Sequence, residues 1–345
     1  DVPSVGGKNA SLGEMIRELK EEGVRVPDGF ATTSEAYWAF VEANELKDKL
    51  HDQLEHYHQE EASLQEVGKA IRRMFRHGSF PEEIAKPIRK AYREMSERYE
   101  VDEVDVAARS SATAEDLPEA SFAGQQETFL NVTGEEELLE ACRKCYASLF
   151  TDRAITYREE QGFDHMKVAL SVGVQKMVRA DKAGAGVMFT IDTETGFPES
   201  IVIEAAWGLG DTVVAGEVIP DDYRVFKPLL SEQNLTPIIE KTLGDKEAKE
   251  IYATGGSETT KRVKTSRAEQ RTFVLSDDEI LQLARWGTTI EAHYDRPMDI
   301  EWAKDGQLKE LFIVQARPET VQSQKEAGSL KTYTLKEDRE IILEG

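Results

Sequence analysis

The order of periodic patterns along the 345-residue chain predicts an α+β fold, in which helices and strands occupy largely separate stretches. Apolar residues recur at helical spacing through most of the first hundred positions. From Val104 onward, short alternating segments typical of strands predominate. Strands and helices do not alternate regularly, which argues against a parallel doubly wound sheet. The length predicts two domains or one large bilobed domain.

The composition is that of a globular protein, with 39% hydrophobic and 32% charged residues. A formal net charge of −23 argues against a protein that binds the phosphate backbone of nucleic acids. The charge is compatible with an enzyme whose anionic substrate arrives with magnesium. No apolar run is long enough to span a bilayer, and the N-terminus does not resemble a signal peptide. We therefore expect a cytoplasmic protein without membrane contact, of which this chain, lacking an initiator Met, is a part.

Cys142 and Cys145 have the spacing of a redox motif or of half a zinc site. They lie within residues 135–150, where apolar residues recur at helical spacing. The sequence clusters no further zinc ligands nearby, and a redox motif is expected at a strand-to-helix junction. We therefore interpret both cysteines as structural, and their reduced state fits a cytoplasmic protein.

In the first third we predict a series of helices. Turn signals stand at Gly23 and at Pro27-Asp28-Gly29, and Thr33 or Ser34 can cap the helix that follows. Pro87 implies a kink or a break in the last helix of this part. His51, His56 and His58 lie in a charged stretch and are interpreted as surface residues. The predicted helices cover residues 10–20, a segment after 33, residues 64–76 and residues 81–99.

The remainder is predicted to be mixed. A strand near residues 104–106 leads into a loop with Arg109, and alternation over residues 168–178 indicates another strand. The polar stretch 245–271 is interpreted as an exposed insertion. A helix is predicted at Asp277–Tyr294, and the chain after residue 318 resembles a linker. Further strands are predicted at residues 128–132, 186–190, 201–204 and 223–226.

Residues 298–302 and 312–318 alternate and flank a turn signal at Asp305-Gly306, so they are predicted to form a hairpin or neighbouring strands. Asp299 and Glu301 then share one face of the first strand. On the second strand, alternation groups Ile313, Gln315 and Arg317 on one face and Phe312, Val314 and Ala316 on the other. If the polar faces coincide, carboxylates, a carboxamide and a guanidinium meet, which suits a magnesium–polyphosphate complex. The alternative is a hairpin with ordinary surface charges.

Several other segments could contact phosphates, each with a simpler alternative. Gly6-Gly7-Lys8 precedes a predicted helix but lacks the Walker A spacing, so on its own a turn with a surface lysine is the favoured explanation. Residues 121–128 form a small-residue loop that could also be a plain turn. Gly208-Leu209-Gly210 is a lone and weak GxG signal. Arg109 could bind an oxyanion or form a structural ion pair.

Taken together, these segments resemble the family of phosphoenolpyruvate synthase and pyruvate phosphate dikinase. The resemblance extends to about residue 320, and the second motif looks like the form found in the synthase, without the methionine- and glycine-rich loop of the dikinase. The motifs are Val5-Gly6-Gly7-Lys8-Asn9-Ala10-Ser11-Leu12-Gly13-Glu14-Met15, Val26-Pro27-Asp28-Gly29-Phe30, Arg109-Ser110-Ser111-Ala112-Thr113-Ala114-Glu115-Asp116-Leu117-Pro118 with Ser121-Phe122-Ala123-Gly124-Gln125, Ile300-Glu301-Trp302, and Val314-Gln315-Ala316-Arg317-Pro318.

The resemblance implies an ATP-grasp fold of two lobes, with a helical cap in the N-terminal part. The implied boundaries are residues 1–172 for the N-terminal lobe, 173–320 for the C-terminal lobe and 321–345 for a linker. The implied cofactors are ATP and Mg²⁺. By position, the phosphates would be held by Lys8 and Arg109, covered by Gly124 and Thr128, and stabilised in transfer by Arg317. The base would meet Gln175 and the backbone of Lys176, Met177 and Val178, the metal would be bound by Glu301 and Gln315 with Asp299 as a helper, and Glu204 would line the site.

The family passes phosphate to a histidine in a glycine-rich Thr-Cys-His or Thr-Ser-His setting, and none of the six histidines here has that setting. We therefore expect the swivelling phosphohistidine domain and a pyruvate-binding barrel to be partners outside this chain. The resemblance implies the ATP-binding, phosphate-donating part of a phosphoenolpyruvate synthase, which makes phosphoenolpyruvate, AMP and phosphate from ATP, pyruvate and water. A rifamycin phosphotransferase or a dikinase is the nearest alternative, and a non-catalytic nucleotide sensor is an alternative of another class.

Overall fold

The structure is a computed structural model that describes residues 1–113, 127–232, 234–253 and 259–319. In these ranges the chain is a mixture of helices and antiparallel sheets, in agreement with the predicted α+β class. The helices are α1 (Val2–Glu18), α2 (Ser34–Ala43), α3 (Leu46–His58), α4 (Leu64–His77), α5 (Glu82–Arg98), α6 (Glu135–Ser148), α7 (Asp152–Glu160), α8 (Asp211–Val214), α9 (Arg267–Gln270) and α10 (Asp277–Tyr294). The strands are β1 (Gly29–Ala31), β2 (Val106–Ala112), β3 (Thr128–Val132), β4 (Leu170–Lys176), β5 (Gly184–Phe189), β6 (Ser200–Trp207), β7 (Asp221–Phe226), β8 (Ile238–Thr242), β9 (Ala248–Tyr252), β10 (Thr260–Lys264), β11 (Met298–Lys304) and β12 (Leu311–Pro318).

Two sheets organise the described part of the chain. The first has four strands in the order β1-β4-β2-β3, and the second has six in the order β12-β11-β5-β6-β7-β8. Neighbouring strands pair antiparallel in both sheets. The expected boundary between residues 172 and 173 falls inside β4, which pairs with β2 from residue 170 to residue 176.

The helical layer covers one face of the four-stranded sheet. Val172 and Val174 of β4 point into this core, where Tyr37, Phe75 and Tyr146 pack against one another. These aromatic side chains are large and fully buried, so they contribute strongly to the hydrophobic contact between the helices and the sheet. This core therefore fixes one face of the sheet and leaves the face with Arg109 for other contacts.

Both cysteines are packing residues, as predicted. Cys142 and Cys145 are unpaired and fully buried in helix α6. Burial raises the pKa of the Cys142 thiol to about 12, so the reactive thiolate is not populated at neutral pH.

Helix α5 runs through Pro87 from Glu82 to Arg98, so of the kink or break predicted there, the break does not occur. Proline lacks the amide that would donate to the carbonyl four residues earlier, which here belongs to Glu83. Glu83 is exposed in the first turn, where water can satisfy that carbonyl. The helix therefore tolerates the proline.

The second core lies between the six-stranded sheet and α10. Ile203, Ile300 and Trp302 from the sheet pack with Ile280 and Leu283 from the helix. Helix α10 has the predicted limits, because Ser276 and Glu279 form a capping box at its start. The opposite face of this sheet carries Asp299 and Glu301 and faces away from the helix.

The stretch 245–271 was predicted to be an exposed insertion, and many of its described residues are exposed, but its described parts also form strands that contact the rest of the protein. Strands β9 and β10 pair as a hairpin, and the Leu209 amide donates a hydrogen bond to the Glu250 carbonyl at 2.9 Å. The Tyr252 hydroxyl donates to Asp105 Oδ2 at 3.0 Å, next to the four-stranded sheet. The hairpin therefore links the two sheets, and its polar alternation reflects pairing without an apolar face.

None of the helices that the structure describes is both long enough and apolar enough to cross a membrane.

The environment of His165 predicts that stability falls in mild acid. Arg158 Nε donates to His165 Nδ1 at 2.9 Å, and burial together with this guanidinium lowers the pKa of His165 to about 4. In the unfolded chain His165 is protonated below about pH 6.5, whereas in the folded chain it stays neutral down to about pH 4. The free energy of unfolding should therefore fall by roughly 2–3 kcal/mol as the pH is lowered from 6.5 to 4. We expect His165→Gln to flatten this part of a urea-denaturation pH series.

The matched control is His51→Gln, because the His51 side chain is 62% exposed. This variant should keep the slope of the unchanged protein. Parallel curves for the His165 variant and the unchanged protein would contradict the assignment.

Candidate functional site

The hairpin of β11 and β12 brings four polar side chains onto one face. Asp299 lies opposite Arg317, and Glu301 lies opposite Gln315. Directly opposed residues of antiparallel strands point to the same side of the sheet. The other side of β11 is buried in the second core, so the four polar residues face the open side.

A bulge changes the face of one predicted residue. The register shifts between Glu301 and Trp302, and Trp302 pairs with Ile313, which leaves Val314 as the extra residue of β12. Ile313 is fully buried in the second core, whereas Val314 packs on the opposite face. The predicted grouping of Ile313 with Gln315 and Arg317 is therefore wrong, because strict alternation does not survive the inserted residue.

Arg317 is held by Asp299. Arg317 Nη2 and Nε lie 2.7 and 2.9 Å from Asp299 Oδ2. Burial raises the pKa of Asp299, and the guanidinium opposes that shift. The pair fixes the direction of the arginine side chain along the face.

Arg109 reaches the same place from the other sheet. Its Nη1 donates to the Val314 carbonyl at 3.1 Å and lies 3.8 Å from Glu301 Oε2. Its Nε is buried and has no hydrogen-bond partner within the described residues. Gln315 is 7% exposed, and no described residue forms a hydrogen bond with its side chain. One guanidinium therefore stands beside a carboxylate and an amide whose oxygens remain available to a ligand.

Helix α1 carries Lys8 between the two sheets. Gly6 has a φ of +74° and interrupts the helix, and a Cβ there would lie 2.5 Å from the Ser111 carbonyl oxygen of β2. Asn9 Nδ2 donates to Ser171 Oγ of β4 at 2.9 Å. Ser11 Oγ donates at 2.9 Å to the Ala316 carbonyl, between Gln315 and Arg317. Lys8 thus sits, partly buried, in a helix fastened to both sheets.

A narrow cleft, with room for about 60 Å³ of solvent, adjoins these groups. One end is apolar, with Met177, Val178, Leu209 and Ala303 in one cluster. The other end has Arg109 and Glu301, and the buried Gln175 also lines the cleft.

The connector after β4 supplies the backbone at the apolar end. The Lys176 amide donates to the Asp28 carbonyl at 2.8 Å, and the Met177 amide donates to the Asp105 carbonyl at 3.0 Å. Lys176 Nζ forms an ion pair with Asp105, so its charge is already partnered within the protein. Among the described residues, the Val178 amide has no acceptor, which makes it the available donor for a planar ligand.

Of the three remaining predicted residues, Glu204 lies apart from this group and Thr128 lies beside Arg109. Glu204 is in the same cross-strand row as Glu301, with Val187 of β5 between them, so it is roughly 10 Å away along the sheet. Burial and then Asp222 raise the pKa of Glu204. Thr128 pairs with Arg109 at the start of β3 and is exposed. Gly124 lies outside the described residues.

Asp211 lines the cleft and was missed by the sequence reasoning. It follows Gly208-Leu209-Gly210, where Gly208 has a φ of +85° and a Cβ would lie 2.4 Å from the Glu250 carbonyl oxygen. Asp211 is exposed to solvent at the cleft, although surrounding protein atoms desolvate its carboxyl group in part. This partial desolvation, and then Glu250, raises the pKa of Asp211 to about 6. The only sequence signal was the GxG, because the partners of Asp211 are distant in the chain.

Chemically, the arrangement suits an elongated ligand with a planar apolar end and a multiply charged end. Apolar side chains and a backbone donor can hold the planar part. Arg109 and Arg317 can bind phosphate oxygens, and carboxylate and amide oxygens are the donor types that Mg²⁺ prefers.

Comparison with known proteins agrees with this arrangement. Residues 2–337 match the family described as the pyruvate phosphate dikinase AMP/ATP-binding domain. The phosphoenolpyruvate synthase of Aquifex aeolicus is 55% identical over 99% of this chain and 40% of its own length. Those of Synechocystis sp. and Escherichia coli are 56% and 49% identical over all of this chain and 43% of their lengths. The chain thus spans about two fifths of the length of these relatives.

The close contact at Gly6 gives a test of how α1 is fastened. Gly6→Ala should lower the free energy of unfolding by at least about 2 kcal/mol, because a side chain is strained at positive φ and collides with Ser111. Gly13→Ala is the matched control, since no atom lies within 4 Å of its Cβ position. In the helix interior that change should be neutral or stabilise by up to about 1 kcal/mol. Equal urea-denaturation midpoints for the two variants would contradict the packing.

Proposed function

The chain belongs to the pyruvate phosphate dikinase AMP/ATP-binding domain family, and on that premise we propose that it is the ATP-binding, phosphate-donating part of a phosphoenolpyruvate synthase. One observation carries the proposal: at one end of a partly apolar cleft, Arg109 lies opposite a polar strand face. That face consists of Asp299, Glu301, Gln315 and Arg317. The names of the relatives favour the synthase over the dikinase and the rifamycin phosphotransferase. The whole protein would convert ATP, pyruvate and water into AMP, phosphoenolpyruvate and phosphate.

ATP would lie along the cleft with its base at the apolar end. Met177 and Leu209 would contact the faces of the ring, and the Val178 amide and the Gln175 side chain would meet its edge. The phosphates would extend toward Arg109 and Lys8, as the family resemblance implies. Gly124 and Thr128 would belong to the loop that covers them.

The two sheets would act as the two lobes of an ATP-grasp fold, with helices α2 to α6 as the helical cap. Residues 1–172, 173–320 and 321–345 remain the proposed N-terminal lobe, C-terminal lobe and linker. Helix α1 contributes Met15 to the core of the six-stranded sheet, so the proposed lobes share this element.

The oxygen donors fit Mg²⁺. Glu301 has only a long ion pair with Arg109, and the Gln315 amide is free of hydrogen bonds to described residues, so both can ligate. Asp299 would assist from the next pair along the hairpin, and Glu204 would line the site farther along the sheet. When bound, the metal would neutralise charge on the phosphate oxygens.

Arg109 and Arg317 would position the phosphates and neutralise their negative charge. Asp299 orients Arg317, and the Val314 carbonyl orients Arg109, so both guanidinium groups are aimed before the ligand arrives. The chain's histidines at 165 and 293 contact Arg158 and Glu14 instead of this face. The phosphate acceptor would therefore be a histidine on a swivelling domain in the rest of the longer protein, which would also hold the pyruvate-binding barrel. We propose a cytoplasmic setting for it.

Glu301→Gln tests the magnesium role. The variant keeps the shape and removes the charge, so calorimetry should give at least about tenfold weaker binding of ATP with Mg²⁺. Binding of ATP with a chelator should not weaken, because a negative charge beside the phosphates has been removed. Glu194→Gln is the control, since that carboxylate is 76% exposed. Unchanged magnesium dependence would favour the nucleotide-sensing alternative.

Arg317→Ala tests the phosphate-donating role in the longer protein. With ATP labelled in its β- and γ-phosphates, label on the histidine should form about 10²–10³ times more slowly, because a cation aimed at the transferred group is lost. Arg296→Ala, an exposed arginine next to the hairpin, should label normally. Normal labelling of the Arg317 variant would remove that residue from the transfer step.

A further inference from the structure

The cleft has one further polar residue, Asp211, to which neither base binding nor phosphate binding assigns a role. The apolar cluster with Leu209 marks one end, and Arg109 with Glu301 marks the other. Asp211 lines the same cleft two residues after Leu209, and its carboxyl group interacts electrostatically with Arg109 and Glu301. A ligand that contacts both ends therefore comes within reach of Asp211.

The Asp211 carboxylate is available to a ligand. None of the described residues donates a hydrogen bond to it, although it lies beside Glu250. Glu250 itself is engaged, because its side chain accepts a hydrogen bond from Thr260. A carboxylate that accepts only, with both oxygens available, is complementary to a ligand group with two adjacent hydroxyl donors.

The turn that presents Asp211 is fixed in advance. The Leu209 amide is tied to the Glu250 carbonyl at 2.9 Å, and the Ala215 amide donates to the Asp211 carbonyl at 2.9 Å. Gly208 allows the close approach of the β9–β10 hairpin. The carboxylate is thus held by backbone contacts at its place in the cleft, and binding need not reorganise the turn.

We propose that Asp211 holds the ribose hydroxyls of the nucleotide and makes the site selective for ribonucleotides over deoxyribonucleotides. This inference rests on the proposed function, since it places the sugar between the base and phosphate ends of the same cleft. It adds a specificity-determining residue at a position where the sequence carried only a weak glycine signal.

The test is calorimetric binding of ATP, 2′-deoxyATP and 3′-deoxyATP, each with Mg²⁺. The unchanged protein should bind ATP about tenfold or more tightly than either deoxynucleotide, the effect of one hydrogen bond to a charged group. Asp211→Ala should weaken ATP binding and bring the three affinities to within about twofold. Asp211→Asn, which keeps one acceptor oxygen and the side-chain volume, should retain an intermediate preference.

Asp222→Ala is the matched control, because Asp222 is a carboxylate on β7 of the same sheet that is ion-paired with Arg224. It should keep the full preference for ATP. Equal affinities of the unchanged protein for ATP and the deoxynucleotides, or a preference that survives in both Asp211 variants, would overturn the role of Asp211 while leaving ATP binding intact. A protein that binds none of the three nucleotides would instead overturn the proposed function, and this inference with it.

Discussion

Helix α1 packs against both sheets at once, and the geometry of the cleft follows from that double contact. Near its start, Gly6 lies directly against Ser111, and Asn9 is bonded to Ser171 on the four-stranded sheet. Further along, Ser11 is bonded to the Ala316 carbonyl on the six-stranded sheet. The part of α1 after Gly6 is therefore bonded to both sheets, through Asn9 on one side and Ser11 on the other. Together with the hydrogen bond from Arg109 to the Val314 carbonyl, it fixes how far the strand with Arg109 stands from the strand with Gln315.

The second constraint lies at the opposite end of the cleft. Tyr252 of the β9–β10 hairpin is bonded to Asp105, which also pairs with Lys176. Arg179 lies over the Tyr252 ring at 4.4 Å, a cation–π contact. These contacts join the hairpin, the connector after β4 and the four-stranded sheet around the proposed base pocket. The proposed nucleotide would thus lie between two cross-links of different kinds, one helical and one made by side chains.

The sequence was sufficient for those features that local periodicity encodes. Helix α10 and the strand pair at the end of the chain have strong periods and clear end signals, so their positions were predicted well. Alternation placed Asp299 with Glu301 and Gln315 with Arg317, whereas the register that sets Asp299 opposite Arg317 is visible only in the structure. Features that depend on distant contacts were not accessible: the β9–β10 hairpin has no apolar face, and Asp211 acquires its surroundings only when Glu250 and Arg109 fold around it. Helix α1 began earlier than predicted, with a first turn capped by Asp1, and it continues past the non-helical residue Gly6.

The bulge at Val314 has a consequence for how one strand can serve two environments. In a regular strand, neighbouring residues point to opposite sides, so an apolar wall and a polar contact cannot follow each other directly on one surface. The inserted residue shifts the phase by one, and Val314 and Gln315 come to share the open face. The lining of the open face therefore changes from apolar to polar between two consecutive residues. The distance between two consecutive residues is shorter than the sugar that would separate a purine from its phosphates. The lining can therefore change from apolar to polar within the length of one bound nucleotide.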